Sequence, residues 1–445
     1  KIQSIKDKFI RERKKIENIF YKENKGLENC KRSSKIVDKL VTDLFKESLK
    51  FYNFNSKICI CAVGGYGRKV LAPYSDLDIL FIYKQEVAKK KVIEMIEFIL
   101  FPIWDLGVKI GYAAREIEES IAISREDHVI QTSMLDTRLV CGSALIYKKV
   151  MKDFRIEISK YGSNLLKNKI SERRKRIVEI GYDYFRNEPN LKESEGSLRD
   201  INFILWSLKI FKLLIFSKRK KSLLLLTNKE KKKIRLSLEF LLLIRCHLHY
   251  QSLRDNDKLS FEYQKAISKK IFKTSSHENI DNNFLVEKMM KDYFLQIRNI
   301  KNLAEILSQT IEKELKNKKK ETKKLNSGKL SPSKVLQSFL KNLSHGKDQA
   351  NEKRLVLENL NKVKNYEVNN EENIKYFKRI FFSLKKERFI SLYDLGIISK
   401  IIPEFSKIAY LPQFDRFHSL TVGQHTLRAL NILKDLQQEK IKKNQ

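Results

Sequence analysis

The run Gly64-Gly65-Tyr66-Gly67-Arg68, followed by Asp76-Leu77-Asp78, has the residue types and spacing of a magnesium-triphosphate site. Asp76 and Asp78 are two apart, so on a strand their carboxylates project from one face. A pair of hard oxygen anions suits Mg²⁺, which keeps several waters and completes its shell with substrate phosphates at about 2.0–2.1 Å. Two such ions roughly 3.5–4 Å apart stabilise both the attacking and the leaving oxygen of an in-line displacement at phosphorus. The chemistry implied is nucleotidyl transfer, with Asp76 and Asp78 as catalytic and metal-holding residues. Gly64 and Gly65 lack a Cβ, permit positive φ and let backbone N–H groups close on a phosphate. Ser75 adds a hydroxyl and Arg68 a charge clamp for the nucleotide. A third carboxylate is usual in such a site, but the segment 107–113 (GVKIGYA) presents Lys109 where an acid could stand. Asp136 and Asp105 are the candidates, and a structural role is open to either.

The elements that must hold these residues follow from hydrophobic pattern. Residues 57–63 (KICICAV) and 77–83 (LDILFIY) have the apolar, β-branched content of neighbouring buried strands, with Pro73 stiffening the entry into the second. Ahead of them, residues 35–52 space Ile36, Leu40, Leu44 and Phe51 for one face of a helix. Mixed α/β segments run to about residue 150, and from 171 onward nearly everything has helical period. Residues 201–216 are apolar on one face, and Thr227 with Glu230 forms a capping box that opens a helix through 236–250. Charge, Asn, Gly and Pro accumulate over 316–332, which marks a linker between a helix carrying 298–315 and a third helical stretch from 333.

These motifs resemble the DNA polymerase β-like nucleotidyltransferase superfamily, whose pattern is a Gly-Gly or Gly-Ser turn followed by Asp-x-Asp on the next strand. The longer strings AVGGYGRKVLAPYSDLDILFIY, WDLGVKIGY and TSMLDTRLVCG look like the bacterial uridylyltransferase family that modifies the nitrogen-signalling protein PII. EPNLKESEGSLRDINFILW and LLIRCHLHYQSLRDNDKLSFEYQ look like that family's helical domain. The resemblance implies an α+β chain: a helical extension over 1–52, a nucleotidyltransferase domain with a mixed sheet over 53–150, and an all-helical domain over 151–315. It implies UTP as donor, Mg²⁺ as cofactor, pyrophosphate as leaving group and a tyrosine of PII as acceptor. Arg199 and Asp200 either line the nucleotide cleft or pin the domain interface. Near the C-terminus, LGIISKIIPEF and FHSLTVGQHTLRAL are similar to the opening of an HD-type phosphohydrolase domain, where His425 falls on the first metal-ligand histidine and His418 lies shortly before it. With no His-Asp pair after it, that ligand set is incomplete, so 333–445 is expected to be a helical segment with an unfinished HD domain and no uridylyl-removing activity. The expectation is a piece of a longer protein.

Composition bounds the rest. At 445 residues, with 42% hydrophobic content, the chain has room for two or three domains. No apolar run approaches the roughly 20 residues that cross a bilayer, so no membrane partner and a cytoplasmic setting are expected. Five scattered cysteines, without CxxC spacing, imply free thiols and no structural zinc. A net charge of +37 is the electrostatic footprint of a nucleic-acid binder. Here the lysines are spread throughout, and the dense runs 218–221, 229–233 and 316–324 lack interleaved aromatics on which bases could stack. Nucleic acid is therefore not expected as a partner, although a template-independent RNA nucleotidyltransferase of the CCA-adding or poly(A) type shares the same core. A related adenylyltransferase, or an inactive module that binds nucleotide or PII, also stays open.

Overall fold

The computed structural model describes all residues except 55, 181–185, 219–224, 273–281, 317–330, 348–349, 384, 413–418 and 444–445. A helical hairpin leads, α1 (Ile2–Glu23) and α2 (Gly26–Ser48), turned by Asn24 in the left-handed region. The sheet region follows as β1 (Ile58–Ala62), α3 (Gly64–Gly67), β2 (Leu77–Tyr83), α4 (Lys89–Trp104), β3 (Ile110–Glu116), α5 (Ile117–Glu126), α6 (His128–Leu135) and β4 (Arg138–Gly142). Long helices come next: α7 (Ala144–Ile180), α8 (Leu198–Lys218), α9 (Asn228–Ser252), α10 (Phe261–Phe272) and α11 (Asn282–Lys316). Beyond them lie α12 (Pro332–Ser344), α13 (Ala350–Asn359), α14 (Asn365–Val368), α15 (Glu371–Phe381), α16 (Lys386–Leu395), α17 (Ile397–Ile401), α18 (Phe405–Ile408) and α19 (Val422–Lys443). The fold is α+β, a four-stranded mixed sheet followed by helices.

The strand order is β3-β2-β1-β4, with β2 and β4 antiparallel to β1 and β3 parallel to β2. Helices cover both faces, which is why β1 and β2 are almost continuously apolar. Alternation sorts the side chains: Ile58, Ile60, Leu77, Ile79 and Phe81 join the core under α1, α2 and α4. Cys59, Cys61, Leu80 and Ile82 join a second core that continues through α7, α8, α9 and α11. Each buried Leu or Ile contributes about 1.5–3 kcal/mol. Asp78 shares the parity of Leu80 and Ile82 and so lies on the side of the sheet that faces the long helices.

Several sequence expectations shift by a few residues. The helix expected over 35–52 starts earlier and ends at Ser48, leaving Phe51 outside it and 72% exposed. The third strand begins at Ile110 rather than 107, because Gly107 takes a positive φ and turns the chain. The boundary placed at 150 falls inside α7, one continuous helix that carries the chain out of the sheet region. The capping box of Thr227 and Glu230 opens α9, and Ser331 caps α12. Most of the expected linker lies outside the described residues. The five cysteines are free thiols, four of them buried. No helix among the described residues is long and apolar enough to cross a membrane.

Candidate active site

β1 ends at the glycine turn because Gly64 adopts φ +57°, and its N–H-bearing backbone then winds into the short α3. Space dictates glycine here as much as conformation does. A Cβ on Gly64 would stand 2.9 Å from Asp78 Oδ2, and one on Gly111, opposite Asp78 in the β2–β3 register, would stand 3.1 Å from Oδ1. The Asp78 carboxylate is thus seated between two Cβ-less residues. Gly65 differs: its φ is not positive and a Cβ there would meet nothing within 4 Å, so its backbone borders open space. Gly67 is pinned by contact, since a Cβ would fall 2.1 Å from the carbonyl oxygen of Asp136.

Asp76 immediately precedes β2 and Asp78 is its second residue; both are exposed, flanked by buried Leu77 and Ile79. Neither carboxylate forms a hydrogen bond or ion pair among the described residues. Desolvation, and next the negative charge of Asp76, push the Asp78 carboxyl above the usual carboxylate range, against weaker pulls from Lys192 and Arg68. Asp76 and Asp78 would hold Mg²⁺, and their hard oxygens fit it.

Asp78 opens into a cleft of about 460 Å³ between the sheet and the long helices, bordered also by Gly64, Gly111, Arg115, Lys169, Arg199 and Trp206. Arg199 lies at the start of α8, its Nε donating to Glu193 at 3.0 Å. Its neighbour Asp200 does the other work: fully buried, it accepts from Arg173 Nε at 3.2 Å and from the Gly196 N–H at 2.8 Å, and it pairs with Arg176. Asp200 is therefore interior and Arg199 faces the cleft.

Three sequence candidates sit differently from their expected roles. Asp136 borders the cleft, yet its buried carboxylate is consumed by donors: Trp206 Nε1 at 2.7 Å, Lys209 Nζ at 2.6 Å and the guanidinium of Arg68. Both oxygens are engaged in tying α3 and α6 to α8. Arg68, committed to Asp136 and lying 5.6 Å from the Trp206 ring centroid, is a structural cation here rather than a free clamp. Ser75 lies on the opposite parity from Asp76, and it lines a different cavity. On β3, the cleft-facing positions in register with Asp78 are Gly111, Ala113 and Arg115, so no third acid comes from that strand. Lys109 precedes it and pairs with Asp255 at 3.0 Å. Asp105 caps the end of α4 and pairs with Lys6.

His425 is exposed in the first turn of α19 and does not line the cleft; His418 lies outside the described residues. Among the described residues, no group of three His, Cys, Asp or Glu side chains could hold a metal ion. Trp206, Lys209 and Lys169 were missed by sequence reasoning. Trp206 and Lys209 are three apart on a helix, hence neighbours on one face, and that spacing was the available signal.

With Asp78 seated between Gly64 and Gly111 on a mixed sheet and helices across the cleft, residues 43–132 match the nucleotidyltransferase domain family. Residues 164–308, in the long helices, match the GlnD PII-uridylyltransferase family. The chain is 28% identical over 462 residues to a bifunctional uridylyltransferase/uridylyl-removing enzyme of Phenylobacterium zucineum, covering 92% of this chain and 47% of that protein. It is 28% identical over 464 residues to the enzyme of the same description from Caulobacter vibrioides, with the same coverage. The chain spans about half the length of these relatives.

Proposed function

We propose that this chain is a Mg²⁺-dependent uridylyltransferase that moves UMP from UTP to a tyrosine hydroxyl of the PII signalling protein in the cytoplasm. The observation that carries this reading is the exposed Asp78, with exposed Asp76 two residues before it, opening into a cleft whose far wall is the PII-uridylyltransferase-type domain. Bound Mg²⁺ would supply charge neutralisation on the triphosphate and the α-phosphoryl group. Gly64 brings a Cβ-less backbone to the cleft, along which stand Arg199, paired with Glu193, and Lys169, paired with Glu172. The phenolic oxygen attacks the α-phosphorus, the bond from that phosphorus to the oxygen bridging to the β-phosphate breaks, and pyrophosphate leaves with the electron pair. A phenol of pKa about 10 must shed its proton during attack. Asp76 and Asp78 are the carboxylates at hand to favour its loss.

A second reading has its own observation: with Arg115 on the cleft face of β3 and Lys109 tied to Asp255, the third carboxylate is replaced by cations. That favours a module that binds nucleotide and PII without transfer. Incubating the chain with PII, Mg²⁺ and either α-labelled UTP or α-labelled ATP separates the readings. Label from UTP on PII supports the proposal, label from ATP alone makes the chain an adenylyltransferase, and binding with no label from either supports the inactive module. His425 and uridylyl removal have no part in this assignment.

A further inference from the structure

A cavity of about 610 Å³, larger than the cleft that Asp78 opens into, lies apart from it. It lies where three parts of the chain meet: the α1–α2 hairpin, the loop 71–77 with the turn before β3, and the segment that follows α9. Its floor is apolar, with Phe9, Ile16, Val37 and Leu77 among its residues, and two rings, Tyr74 and Tyr250, meet edge to face beside it. Its charged groups are Arg13, Lys109, Arg254 and Asp255. Asp255 is taken by Lys109, and Arg13 stacks 4.1 Å from the Tyr74 ring centroid. Arg254 is exposed and forms no ion pair among the described residues. The net balance of the cavity is positive, over an apolar, ring-lined interior.

Its position relative to the two carboxylates is the telling point. Ser75 and Leu77, which line this cavity, flank Asp76, and the charge of Asp76 reaches Lys109 at the rim. Asp78 lines the other cavity, the cleft. Along the chain, Asp76 thus falls between two residues of this cavity and stands two residues before Asp78 at the cleft, so the strand entry links two hollows of different chemistry. An in-line transfer needs the attacking and leaving oxygens on opposite sides of the phosphorus. If the cleft takes the triphosphate, the second hollow is where an acceptor enters.

We infer that the cavity between the α1–α2 hairpin, the loop 71–77 and Arg254 is the docking site of the acceptor, a protein loop that carries a tyrosine with acidic neighbours. This rests on the transferase reading for the identity of the acceptor, not for the cavity itself. The apolar floor and the rings of Tyr74 and Tyr250 suit a phenol, and Arg13 and Arg254 suit carboxylates on the same loop. The segment after α9 belongs to the helical domain, so that domain would select the partner as well as wall the cleft.

The test uses the whole chain with Arg254→Glu and Arg13→Glu variants, with PII as the probe for acceptor binding and Mg-UTP for nucleotide binding, both by calorimetry, alongside label transfer. Reversing a rim charge acts mainly on association and its salt dependence. The expected result is PII affinity weakened about tenfold in Arg254→Glu, with a flatter salt dependence, and UTP affinity as in the parent chain. Unchanged PII affinity in both variants, or PII that fails to bind the parent chain, overturns the docking site. Loss of UTP affinity in Arg254→Glu also overturns it, by making the occupant a nucleotide. Binding that depends on Arg254 without any label transfer leaves the docking site standing and defeats the transferase reading instead.

Discussion

Replacing Gly64 by alanine tests the local geometry of the site at its tightest point. The residue has φ +57°, a conformation that costs an alanine roughly 1–2 kcal/mol relative to glycine. The new Cβ would also lie 2.9 Å from Asp78 Oδ2, inside contact distance, so the carboxylate must turn away. The first effect is on stability: a loss of about 1–2 kcal/mol moves the melting temperature of a domain of this size down by about 2–8 °C. The second is on chemistry, where a displacement approaching 1 Å can lower the rate about 10²-fold. Gly65→Ala is the control. Its backbone carries no positive φ and its Cβ would occupy open space, so stability should stay within about 0.5 kcal/mol while the UTP KM rises. Differential scanning fluorimetry with a label-transfer assay reads both quantities. If Gly64→Ala melts with the parent chain and transfers at its rate, the seating of Asp78 against Gly64 is refuted.

Two further substitutions probe the surroundings. Asp136→Asn removes the charge that holds Arg68 and Lys209, and breaking a buried pair of this kind costs about 3–5 kcal/mol, read by denaturant unfolding; unchanged stability with lost Mg²⁺ affinity would instead make Asp136 a metal ligand. His247 is buried in α9, its Nε2–H donating to Asn24 Oδ1 at 2.7 Å, and burial lowers its pKa to about 3. The unfolded chain takes up that proton near pH 6.5. The neutral form is therefore what folding requires, its stabilisation is complete above pH 6.5, and it declines as pH falls toward 3. Between pH 7.5 and 5 the loss is about 2 kcal/mol. Denaturation of His247→Gln at the two pH values should show that part of the decline gone, and an identical decline in both proteins would refute it.

The sequence made the strand pair legible because burial on both faces leaves near-continuous apolar runs, and it made Asp76 and Asp78 legible because side-chain parity is local. β2 falls at 77–83 as expected, and the capping box of Thr227 and Glu230 is visible as a four-residue motif. What the sequence hides is occupancy. Asp136 and Asp78 are both acids near the cleft, but only the fold shows that Trp206, Lys209 and Arg68 converge on Asp136 from 70 or so residues away while Asp78 is left unpaired. Ser75 illustrates parity at a strand entry, since one residue's offset from Asp76 sends it to another cavity. The α7 boundary was hidden because a helix that leaves one domain and enters another has no break in its period.

The most direct measurement is transfer of label from α-labelled UTP to PII in Mg²⁺ by the parent chain and by Asp78→Asn, with the melting temperature recorded for both. Asp78 makes no hydrogen bond or ion pair among the described residues, so the amide should leave stability unchanged while abolishing transfer. An Asp78→Asn chain that labels PII at the parent rate contradicts the account.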